Sequence, residues 1–163
     1  MMQIAVTKKM AKELKKDIQD ADTVELPDIY RWHMNLFKIG NRKCVLLMND
    51  ATGLNLTLLG LKKEQFENID QVIMGSLREL LKLLNVKQEI IDHMLDAGSE
   101  LIYTNTHNRS VLGMMNEISY YIEAQIEGKS YDDIDAVDMN EQNNGFLLKG
   151  EIPIEKFKQH FEE

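Results

Sequence analysis

Seven polar side chains follow one another in Thr104-Asn105-Thr106-His107-Asn108-Arg109-Ser110, directly before an apolar run with helical spacing. The first N–H groups of a helix have no intrahelical partners, and the aligned peptide dipoles place partial positive charge there. A phosphate or carboxylate could therefore be held at this helix start by Asn108, Arg109, Ser110 and Thr106. The competing use is a cap alone, with Asn108 accepting from the backbone, and no glycine-rich phosphate loop accompanies the run. His33 and Asn35 form a second polar group. They alternate onto one face of a β-favouring segment beside Phe37, and polar groups set into an apolar face need hydrogen-bond partners. The 104–110 run is where the sequence offers such partners. In a functional reading His33 would carry a proton near neutral pH beside Arg109 as a clamp.

Other chemistries find less support. The histidines at 33, 93, 107 and 160 show no metal-ligand spacing and Cys44 is alone, so neither a metal nor a cofactor is expected. The acidic run Asp133–Asn144 places Asp138 where a calcium loop needs glycine and Asn144 where it needs glutamate. Ser110 lacks the glycines of a nucleophile elbow.

These residues must be positioned by elements whose signals are clear. Residues 3–6 favour a short strand, and Thr7 is placed to cap a helix with Met10, Leu14 and Ile18 on its apolar face and a lysine-rich opposite side. Gly40-Asn41 separates two β-rich runs, predicting a tight hairpin that sets His33 opposite Met48, Asn35 opposite Leu46 and Phe37 opposite Cys44. Both faces of that ribbon are largely apolar, which places it centrally with layers on both sides. A third strand over residues 54–60 and a long helix over 62–85 follow. A second helix ends at Gly98, and the strand 100–104 leads into the polar run. The next helix carries Val111, Met115, Ile118 and Ile122 to about Gly128, and Pro153 opens a last one. The fold class predicted is α+β: a mixed, largely antiparallel sheet with a central hairpin and helices packed on its faces. The expected organisation is a core domain over 1–128 and an acidic C-terminal extension over 129–163, packed on the same domain.

Three blocks, Thr7-Lys8-Lys9, Trp32-His33-Met34-Asn35-Leu36 and Asn108-Arg109-Ser110 followed by Asn116, together resemble an uncharacterised prokaryotic family of domains of unknown function (DUF6933). The resemblance also falls on Asn49 and covers most of residues 3–126, with the segment after Gly128 matching poorly. It implies no activity.

Charge and composition narrow the functional classes. The 163 residues are 44 % hydrophobic with one cysteine, enough for a core without disulfides and consistent with a cytoplasmic setting. No segment has the length of a membrane span. The net charge of −8 is concentrated at the end: residues 1–122 hold 16 acids against 15 bases, and residues 123–163 hold 11 against 4. That balance disfavours nucleic-acid binding, which relies on a positive face. The expected function is a non-enzymatic binding or regulatory protein, acting through a protein partner or homo-oligomer. Its contact surfaces would be the acidic stretch Tyr131–Asn144 and the lysine side of the first helix. The alternative is an enzyme or ligand-binding module that recognises a phosphate-bearing small molecule or nucleotide through His33, Asn35, Thr106, Asn108, Arg109 and Ser110.

Overall fold

The structure is a computed structural model that describes residues 1–162. Five strands, β1 (Met2–Val6), β2 (Arg31–Ile39), β3 (Arg42–Asn49), β4 (Asn55–Leu58) and β5 (Leu101–Thr104), form one sheet in the order β4-β3-β2-β1-β5. β1 runs parallel to both β2 and β5, while β2-β3-β4 is an antiparallel meander. The hairpin β2-β3 has the predicted register, with His33 opposite Met48, Asn35 opposite Leu46 and Phe37 opposite Cys44. Gly40 takes φ +60 and Asn41 does not enter the left-handed region, so the turn is the kind that needs glycine at its first central position only. The fold is thus α+β, with the hairpin at the middle of a mixed sheet.

Among the described residues, seven α-helices accompany this sheet: α1 (Lys8–Glu13), α2 (Lys63–Glu67), α3 (Ile69–Leu83), α4 (Gln88–Ala97), α5 (Arg109–Ile126), α6 (Ala136–Asn143) and α7 (Pro153–His160). The period-2 alternation of the strands divides the core in two. Met2, Ile4, Val6, Trp32, Met34, Leu36, Val45 and Leu47 pack with Ile73, Leu77 and Leu81 of α3, Met94 of α4 and Phe157 of α7. On the opposite face Leu46 and Met48 pack with Val111, Met115, Ile118 and Ile122 of α5 and Met139 of α6.

Two predicted helices differ in extent. The lysine-rich helix stops at Leu14, which turns extended at φ −94, ψ 137. The chain then runs beside the outer edge of β5, where Gln19 N–H donates to the Tyr103 carbonyl and Asn105 N–H donates to the Gln19 carbonyl. Backbone pairing to an open strand edge outweighs continuation of a short charged helix. The long helix is divided at Asn68 into α2 and α3.

The C-terminal residues are integral to the packing. Tyr131 lies with its hydroxyl against Gly60, where a Cβ would stand only 2.2 Å away, and the Arg42 guanidinium lies 3.9 Å from the centre of its ring. Phe157 is fully buried. No helix among the described residues is long and apolar enough to cross a membrane.

Candidate functional site

His33 lies on the α5-facing side of β2, fully buried. Its Nδ1 is 2.8 Å from Oδ1 of Asp50, the residue just after β3. Asn49 fixes that turn: its side-chain oxygen accepts from the N–H groups of Ala51 and Thr52 and from the Thr52 hydroxyl, and its amide donates to the Ile29 carbonyl. Asp50 N–H in turn donates to the Arg31 carbonyl. The turn thereby delivers a carboxylate to a histidine 17 positions earlier.

The β5–α5 loop supplies a third group. Thr104 accepts from the Gln3 side chain and donates to the Asn105 carbonyl, while the Asn105 side chain accepts from Ala21 N–H. The loop so tethered leans His107 over His33, with ring centroids 4.8 Å apart. His107 Nε2 is 3.3 Å from Asp50 Oδ2, without the alignment of a hydrogen bond. The side chains of His33 and Asp50 have no exposed surface and that of His107 is 17 % exposed, although its backbone lies at the surface. Burial holds the His107 imidazole below its usual pKa. The nearby His33 pushes in the same direction, and the Asp50 carboxylate opposes them.

The polar strand residue His33 therefore meets the 104–110 run, as expected, but through His107. Spacing alone hid this pair: 74 residues separate the two histidines in sequence, and only the sheet order brings β2 near the end of β5. Asp50 also escaped notice, because an acid at a strand end reads as a turn residue. Asn35 goes elsewhere and accepts from the Thr7 hydroxyl at 2.6 Å. Asn108 caps α5 by accepting from Ser110 N–H and Val111 N–H. Lys149 donates to the Ser110 hydroxyl and carbonyl, and Arg109 is exposed with no ion pair among the described residues. Thr106 makes no side-chain hydrogen bond among the described residues. The six candidates do not converge on one pocket.

An open cleft lies on another part of the molecule. It has a volume of about 940 Å³ and runs between β4, α3 and the start of α6. Leu56, Leu58, Val72, Leu80, Leu83 and Val137 give it apolar walls. Val137 is 61 % exposed. Gly75, midway along α3, lines it too, and a Cβ added there would meet nothing within 4 Å. Glu79 and Lys82 of α3 also line it, and Asp132, Asp133 and Asp135 are exposed in the segment that leads into its α6 wall.

The model of a domain of unknown function (DUF6933) matches residues 3–158. The chain belongs to the DUF6933 family. The match extends through the acidic segment and into α7, so residues 129–158 are part of the DUF6933 domain although the segment after Gly128 resembles the family only weakly. No curated protein and no solved structure matches it. The cleft and the buried cluster both lie inside the DUF6933 match.

Proposed function

We propose that this protein is a cytoplasmic, non-enzymatic binding protein whose partner inserts an amphipathic, basic-flanked segment into the cleft between α3 and α6. The observation that carries the reading is Gly75. Glycine in a helix interior costs about 1 kcal/mol relative to alanine, and no described residue comes within 4 Å of a Cβ added there. The helix gives up stability at a position where a side chain would project into the cleft. The apolar walls suit a partner's apolar side chains. Glu79 in the lining and the exposed Asp132, Asp133 and Asp135 just before α6 outnumber Lys82 and favour lysine or arginine flanks, which steer association as well as stabilise it. The alternative, a phosphate-bearing ligand at the α5 start, is less well supported, since Asn108 is spent on the cap and Ser110 is engaged by Lys149.

The test uses two synthetic helical peptides that share a leucine face and differ in lysine or glutamate flanks, titrated into the 15N-labelled protein. The lysine peptide should shift the amides of Leu58, Val72, Ser76 and Val137, and Gly75→Leu should abolish those shifts. Equal binding of both peptides, or shifts centred on residues 107–110, would overturn the reading.

A further inference from the structure

We infer that His33, Asp50 and His107 form a binding site for a divalent first-row transition-metal ion, zinc being the type that the ligands suit. The inference is independent of the cleft. Two imidazoles and a carboxylate each offer one ligand atom, and these atoms lie within 4.8 Å of one another. Ligands about 2.0 to 2.2 Å from a shared ion stand roughly 3 to 4 Å apart, so a small inward movement of the His107 loop completes the geometry. That loop is the one member of the site with an exposed backbone.

One atom points to a cation rather than to a closed structural network. Asp50 Oδ2 is buried and receives no hydrogen bond from the described residues, although it faces His107 Nε2. With its proton on Nε2, His33 turns the Nδ1 lone pair toward the Asp50 carboxylate, whose Oδ2 lies 3.3 Å from His107 Nε2, and an ion shared by the three would take the place of the 2.8 Å contact between Nδ1 and Oδ1. The carboxylate and the two imidazole nitrogens that face it, His33 Nδ1 and His107 Nε2, are all electron donors, and one cation between them serves the three together. Three protein ligands leave at least one coordination position for water or an incoming group, as in open metal sites. The partly exposed edge of His107 gives the ion a way in.

The supporting groups are of the kind that orient metal ligands. Asn49 holds the turn that carries Asp50, and Gln3 and Asn105 hold the loop that carries His107 through Thr104 and the 19–21 segment. Their hydrogen bonds fix where each ligand starts from, which limits the reorganisation needed on binding.

The experiment is a titration of the chelator-treated full chain with Co²⁺, followed by its visible absorption bands, with Zn²⁺ competition. Imidazole 15N shifts are read in the wild-type protein, so the test does not depend on any variant folding. One equivalent should bind and shift the nitrogens of His33 and His107. His107→Ala, at the most exposed ligand, should weaken binding about tenfold or more, while His160→Ala should leave it unchanged. Absence of stoichiometric binding, shifts confined to His93 or His160, or full retention in a folded His107→Ala protein would overturn the inference.

Discussion

At the residue scale, what decides a side chain's role here is which buried partner it meets. Asn49, Asp50 and His107 are ordinary polar residues in sequence, yet the turn after β3 and the loop after β5 bring the last two onto the same histidine. The register of His33 could be read from the Gly40-Asn41 turn, because a tight hairpin leaves little freedom in pairing. Its contact with His107 could not, because parallel pairing of β1 with β2 and β5 is a long-range choice that local pattern does not encode. Tyr103 shows the same effect at a titrating group. Burial, and then the hydrogen bond to the Asp70 carboxylate, raise its phenol well above the usual 10.0. The folded state thus keeps a proton that the unfolded chain gives up. The stability from this group is fully present below about pH 10 and is lost as pH rises toward the higher folded value. Urea midpoints measured between pH 8 and 11 should fall at the alkaline end for the wild type, and Tyr103→Phe should flatten that fall. An unchanged slope in the variant would assign the alkaline loss to other groups.

At the scale of elements, the sheet closes both of its edges without adding a strand. Gln19 pairs with the backbone flanking β5. On the other side, Asn140 of α6 and Asn144, which caps its C-terminus, lie four residues apart, so their side chains emerge on one helix face. The Asn144 amide accepts from Asn55 N–H and donates to the Asn55 carbonyl, and Asn140 does the same for Thr57. Two side-chain amides thus pair with the outward backbone groups of β4 as a neighbouring strand would. The sequence showed this stretch only as polar and acidic: its apolar signal is weak, and an asparagine that pairs with a strand looks the same as one in solvent. The amides of Asn55 and Thr57 should be protected from hydrogen exchange. The double variant Asn140→Ala with Asn144→Ala should lose that protection and cost about 1 to 3 kcal/mol for each buried group left unpaired. It should also promote association through the freed edge. Protection retained in the double variant would show that α6 covers the edge by packing alone.

At the scale of the whole molecule, the cleft opens where α3 and α6 flank β4 from the two sides of the sheet. The helices and strands were largely legible because their apolar periodicities are strong. The cleft was not, since it depends on how far α6 stands from α3, a distance set by the amide pairing just described. The acidic stretch 131–144 was expected to act as a contact surface, and in the fold its Ala136, Val137 and Asn140 line the cleft. If the cleft exists to receive a partner, filling it should cost function while leaving the fold intact. Gly75→Ala should raise stability by about 0.5 to 1 kcal/mol through helix propensity alone. The most direct test places a photo-crosslinking amino acid at Val137 in living cells, with and without Gly75→Leu, and a control crosslinker at Lys9 on the far charged helix. The account predicts crosslinks from Val137 to a protein carrying an amphipathic basic segment, lost in Gly75→Leu and absent from Lys9. Crosslinks that persist in a stably folded Gly75→Leu protein, that join two copies of this chain, or that form only from Lys9 would contradict it.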